Sequence, residues 1–122
     1  MVMSSPAFRG IFFTSQDPEK TAKFYQDIAL LTLERVGEPD PYTYWKLDRD
    51  GVQIAIHDAK LFADYAYPPM AASNLTHVYF KIDDLQAFQA HLERTNVIPI
   101  AKDDVTITII DPDGRKVMFG TA

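Results

Sequence analysis

Asp48-Arg49-Asp50-Gly51-Val52-Gln53-Ile54-Ala55-Ile56 is answered later in the chain by Asp111-Pro112-Asp113-Gly114-Arg115-Lys116-Val117-Met118-Phe119, with Gly51 and Gly114 standing 63 positions apart. Working outward, Gly10-Ile11-Phe12-Phe13 leading to Asp17 is answered by His77-Val78-Tyr79-Phe80 leading to Asp84, with Gly10 and His77 standing 67 positions apart. Each copy therefore reads as a strand, an acidic helix start, a helix, and further strands that end in an acidic-glycine turn and one last strand. The smaller displacement of the later landmark means that the first copy carries a longer loop. Two such units in tandem predict one shared sheet, with anything bound lying between the copies where paired positions face each other.

A chain of 122 residues and 13.8 kDa has room for one domain, 1–122, and buries roughly two thirds of its unfolded surface. Hydrophobic residues at 47% and charged residues at 24% argue against extended disorder. Seventeen acidic against twelve basic side chains give a formal charge of −5 with no Lys or Arg run, so nucleic acid is not an expected partner. The absence of cysteine excludes disulfides, thiolate metal ligands and a cysteine nucleophile. No window approaches the ~18 apolar residues of a membrane span, and the start lacks the pattern of a secretion signal. Together these predict a cytoplasmic protein with no membrane partner.

Module one spans about 7–58. A strand is expected over 8–14, and Asp17-Pro18 supplies an N-cap acceptor and a first-turn proline for a helix of about ten residues. Phe24, Tyr25 and Ile28 mark the side of that helix that lies on a sheet. A strand near 31–36 precedes the turn cluster 37–41, and Tyr42-Thr43-Tyr44-Trp45 opens the next strand. Over 52–57, Val52, Ile54 and Ile56 form an apolar face, with Gln53, Ala55 and His57 forming a partly polar face toward water. A connector over about 59–74 holds Phe62, Tyr65, Tyr67 and Pro68-Pro69, with a helical turn near 60–65.

Module two, about 75–122, keeps the same phase. Val78, Phe80 and Ile82 point one way, His77, Tyr79 and Lys81 the other. Its helix starts at Asp83-Asp84 and shows Leu85, Phe88 and Leu92 on one side. The β-branched run 105–110 and residues 115–120 are its last two strands.

Three features carry a resemblance: Asp17 followed by Phe24-Tyr25, the segment His77-Val78-Tyr79-Phe80-Lys81-Ile82-Asp83-Asp84-Leu85, and Asp111-Pro112-Asp113-Gly114 before the final strand. In this order and spacing, across nearly the whole chain, the pattern resembles the vicinal-oxygen-chelate superfamily, which includes glyoxalase I, extradiol dioxygenases and bleomycin-resistance proteins. The resemblance implies an α+β fold of two tandem βαβββ modules, a curled mixed sheet around an open cavity with helices on its convex side. It also implies a homodimer. Val52, Ile54, Ile56, Val78, Phe80, Val117 and Phe119 are expected beneath the helices, with the opposite face lining the cavity.

Enzymes of this family hold a divalent metal with His, Gln or Glu on the first and last strand of each module. Carried onto this chain, those positions are Gly10, Ala55, His77 and Met118, of which three lack a useful donor for a hard divalent ion. A register shift would bring His57 toward His77, a pair that still needs out-of-phase carboxylates such as Asp58 or Asp83. No metal or other cofactor is therefore expected.

His77 as a general base has no partner residues that complete a catalytic set, and Asp48, Asp50, Asp111 and Asp113 are read as turn residues. Arg115 and Lys116 are read as solvated. The expectation is a metal-free small-molecule binding protein that sequesters a planar or cationic ligand, with Phe12, Gln53, Ala55, His57, His77, Tyr79, Lys116 and Met118 on the wall and Trp45 or Tyr44 stacking on the ligand. The alternatives are a glyoxalase-like lyase or isomerase, or a dioxygenase-type enzyme, with an unconventional site, and a dimerising or regulatory module whose cavity is filled by its own side chains.

Overall fold

In the computed structural model the described residues are 8–37, 42–61 and 77–121. The expected turn residues 38–41 and the connector residues Phe62, Tyr65, Tyr67 and Pro68-Pro69 lie outside them. Module one runs β1 (Gly10–Ser15), α1 (Pro18–Asp27), β2 (Glu34–Val36), β3 (Tyr44–Arg49) and β4 (Val52–Asp58). Module two runs β5 (Val78–Lys81), α2 (Leu85–Arg94), β6 (Ala101–Lys102), β7 (Thr106–Ile110) and β8 (Lys116–Gly120). Each module is a βαβββ unit, and each forms its own open four-stranded mixed sheet, in the orders β1-β4-β3-β2 and β5-β8-β7-β6. The outer strands β1 and β5 pair in parallel with β4 and β8, and the remaining pairs are antiparallel. Backbone hydrogen bonding thus makes two sheets where the sequence suggested one.

Both helices start on an aspartate. Asp17 accepts the Lys20 N–H at 3.2 Å and Asp84 accepts the Ala87 N–H at 3.0 Å, satisfying orphan first-turn donors. Helix α2 ends where Asn96 takes a left-handed φ of 59°, which lets the Val97 N–H reach back to the Leu92 carbonyl at 2.9 Å. Helix α1 buries Thr21, Ala22 and Tyr25, and α2 buries Phe88 and Leu92.

One core joins the modules. Phe13, Tyr25 and Ile56 from the first pack in a single cluster with Val78, Phe88, Leu92, Ile107, Ile109, Val117 and Phe119 from the second, and Phe88 stacks on Phe119 with ring centroids 4.3 Å apart. The apolar stripes read from the sequence are the ones that pack there, except Val52. It is 38% exposed, because it sits at the hairpin end of β4 beside the turn.

The two acidic-glycine turns differ in structure. In the first, Asp50 and Gly51 have φ of 55° and 80°, and Arg49 pairs with Val52. That is a two-residue hairpin of the kind Asp-Gly favours. In the second the loop is longer, with the Gly114 N–H donating to the Asp111 carbonyl and the Asp111 N–H to the Arg115 carbonyl.

Here Asp111 and Arg115 are 2% and 9% exposed, which corrects the reading of Arg115 as solvated and gives the turn residue Asp111 a buried role besides. Asp111 Oδ1 accepts the N–H groups of Asp113 and Arg115, both at 2.9 Å. Its Oδ2 accepts the Tyr25 hydroxyl at 2.7 Å and Arg115 Nη1 at 2.8 Å. The same guanidinium group contacts Asp113, donates to the Thr14 carbonyl and lies 4.8 Å from the Phe13 ring centre. Thr21 donates to Asp113 at 2.7 Å. The turn of module two is thereby fastened to β1 and α1 of module one.

Burial, then the Asp111 charge, push the Tyr25 phenol well above its ordinary value, so it stays a donor. Asp113 is raised by burial, but its hydrogen bonds from Thr21 and Ser15 and the Arg115 charge outweigh this and hold it below the ordinary carboxylate range. Removing one partner of such a buried pair leaves the other uncompensated. Asp111→Ala is expected to lose about 3–5 kcal/mol in denaturant unfolding. Asp48→Ala, at the matching but exposed position of the first copy, should leave the midpoint nearly unchanged, and equal losses from the two variants would contradict the assignment.

Candidate functional site on the outer sheet faces

Because the core takes one face of each sheet, the opposite faces turn away from it. Strand register gives their composition. On the first sheet Gly10, Phe12 and Thr14 of β1 stand beside Gln53, Ala55 and His57 of β4, and Lys46 and Asp48 of β3 stand beside Ala55 and Gln53. The antiparallel register continues to set Tyr44 beside His57.

His57 is enclosed by rings. Tyr44 stacks on it with centroids 4.7 Å apart and planes 16° from parallel. Phe12 and Tyr42 approach at 5.4 Å and 5.8 Å, and the Tyr42 hydroxyl is 3.0 Å from His57 Nδ1. Burial pushes the imidazole below its ordinary value. Below this cluster Gln53 Nε2 donates to Asp48 Oδ1 at 3.0 Å, while Lys46 reaches Asp48 Oδ2 at 2.5 Å. Gln53, Ala55 and His57 are 7%, 0% and 7% exposed, so this face is covered and does not meet water as its polar alternation suggested. The cover includes tyrosines on β3 and just before it.

On the second sheet Tyr79 of β5 pairs with Met118 of β8, and Lys81 pairs with Gly120. The Tyr79 ring extends over Gly120, since a Cβ built there would lie 2.2 Å from the phenol oxygen. His77 precedes β5 and is exposed. Tyr79 is 43% exposed and Phe12 42%, the accessible rings of the two faces.

The structure thus gathers Phe12, Gln53 and His57 on one sheet and Tyr79 and Met118 on the other. Trp45 falls elsewhere. It pairs with Ile56, on the helix side, where Arg35 lies 5.6 Å over its ring. Tyr44 therefore holds the stacking position, and Tyr42 joins it. The signal was available in the sequence: a two-residue turn at Asp50-Gly51 pairs 49 with 52, hence 45 with 56 and 44 with 57. A depression of about 260 Å³ between α2 and β6, lined by Leu92, Val97 and Pro99 among others, lies on the helix side and away from both faces.

The donor set does not fit the metal that the resemblance implies. Gly10 and Ala55 offer no donor and Met118 only a thioether, and among the described residues no three His, Asp or Glu side chains gather. Gly10 is also locked as glycine, because a Cβ there would lie 1.8 Å from the Gln53 carbonyl oxygen.

No protein-family model and no curated protein sequence matches the chain. Solved structures do. A lactoylglutathione lyase from Agrobacterium tumefaciens is 18% identical with a TM-score of 0.67, covering 98% of this chain and 96% of that one. TnmS3, an antibiotic binding protein from Streptomyces sp. CB03234, is 19% identical with a TM-score of 0.65, covering 98% of each chain. A virulence protein from Salmonella typhimurium is 16% identical with a TM-score of 0.72, again over 98% of each. The chain therefore shares its fold with this lactoylglutathione lyase and with TnmS3.

Two outcomes follow. Gly10→Ala should cost at least about 2 kcal/mol in denaturant unfolding, from the clash with β4, and an unchanged midpoint would contradict the close approach. For His57, the unfolded chain takes up a proton near its ordinary value of about 6.5 while the folded one does not. Stability is then full above that value and falls as pH drops through it. From about pH 7.5 to about 5.5 the parent protein should lose more stability than His57→Gln, and parallel losses would show that the imidazole is not held neutral.

Proposed function

We propose that the chain is a metal-free small-molecule binding protein that holds a planar ligand against its outer sheet faces. The observation that carries this reading is the replacement of donor positions by Gly10, Ala55 and Met118 on faces that keep accessible rings at Phe12 and Tyr79. Such faces suit stacking and apolar contact and cannot anchor a hard cation. TnmS3, with the same fold, is named as an antibiotic binding protein, and the reading extends that type of activity to this chain. His57 is the polar centre of the first face, with Tyr44 holding its ring plane fixed. A homodimer completes the site in this reading, a second copy setting its second-sheet face against the first-sheet face of its partner.

Isothermal titration of the protein with fused-ring heterocycles, with and without a chelator, tests this. Saturable binding unaffected by the chelator is expected, and Phe12→Ala or Tyr79→Ala should weaken it about 2- to 12-fold, the equivalent of one aromatic contact of about 0.5–1.5 kcal/mol. Binding that vanishes with the chelator and returns with a divalent ion would contradict the reading.

A further inference from the structure

The two outer faces differ in charge, and the difference names the ligand more closely. On the first sheet the cations are neutralised: Lys46 lies 2.5 Å from Asp48 and 4.0 Å from Glu34, and Arg9 lies 3.6 Å from Asp48. On the second sheet the face carries Lys81 on β5 and Lys116 on β8, with His77 just before β5 in the same phase. The other strand positions of that face are Tyr79, Met118, Thr106, Thr108, Ile110, Gly120 and Ala101, none of them acidic. Among the described residues neither lysine makes an ion pair, and both are exposed. A chain of formal charge −5 thus presents one locally cationic face. Its overall charge favours a cationic guest only at long range, where salt screens it, whereas contact selectivity follows local charge.

The register gives the layout. Val78 pairs with Val117, so His77 and Lys116 are neighbours across two strands about 5 Å apart, with Tyr79 and Met118 the next pair along. The Tyr79 ring and the Met118 thioether, on paired positions of neighbouring strands, are apolar groups of the kind that suit a flat ligand. Ammonium and imidazole donors stand to one side of that pair and Lys81 to the other.

Resting on the binding activity proposed above, we infer that the ligand is a planar aromatic acid, its ring on Tyr79 and Met118 and its carboxylate or other acidic group at Lys116 beside His77. Lys81 adds to the field without holding the group. Carboxylate, sulfonate and phosphate esters share this chemistry.

Three isosteric probes test it: 2-naphthoate, 2-naphthamide and 2-naphthylmethylammonium, each titrated into the full chain while backbone amide shifts are followed. The acid should bind about tenfold tighter than the amide at low ionic strength, the worth of one charge-assisted contact, with the preference shrinking as salt rises. Shifts should centre on 78–81 and 116–120. Lys116→Ala should remove most of the preference and Lys81→Ala a smaller part, both variants keeping the parent's unfolding midpoint. Equal or tighter binding of the amide or the cation would overturn the acid assignment and leave planar-ligand binding standing. Saturation by none of the three would overturn both.

Discussion

The Asp111 carboxylate is the constraint from which the remaining arrangement follows. It is buried with a full set of donors: two backbone N–H groups, the Tyr25 hydroxyl and the Arg115 guanidinium. Charge removed from water is tolerated only with such compensation, and here the compensating groups come from both halves of the chain. The turn before β8 is thereby held against α1 and β1, and the helix-side faces of both sheets close over one core. With those faces committed to the core, the outer ones are the sheet faces that the proposed binding uses.

The duplication explains why this bond exists once. Asp48 matches Asp111 in sequence, but the helical position matching Tyr25 is Leu92, eight residues after Asp84 as Tyr25 is after Asp17. Leu92 packs in the core and cannot donate. Asp48 instead faces outward, with Lys46 and Gln53. The copies share their apolar pattern, which sets the fold, and differ in their polar residues, which decide what each half does. Divergence of that kind also leaves the first outer face charge-neutral and ring-covered, and the second basic, with Tyr79, Lys81 and Lys116 exposed.

Much of this was legible in the residues. Aspartate caps, the proline of α1, the period-two faces of β4, β5 and β8 and the β-branched run in β7 depend on local geometry, and each element lies within a few residues of its expected place. The apolar faces were legible for the same reason. Three things escaped that reading, one of them, the side that Trp45 takes, although its signal was there. Burial of Gln53, Ala55 and His57 depends on what covers a face, and alternation reports only that two faces exist. The placement of Trp45 depends on turn type, which fixes register and hence which of two adjacent aromatics points outward. The role of Arg115 depends on a partner in α1 far away in sequence, and a lone arginine after a turn carries no mark of it.

The direct test of the welded core is native-state hydrogen exchange of the backbone amides. If the Asp111 cluster joins the halves into one cooperative unit, Ile54–Ile56 in β4 and Ile107–Ile109 and Val117–Phe119 in module two should exchange through the same global opening, with equal free energies that respond equally to denaturant. Exchange of one module through a separate opening, well below the global free energy while the other stays protected, would contradict it.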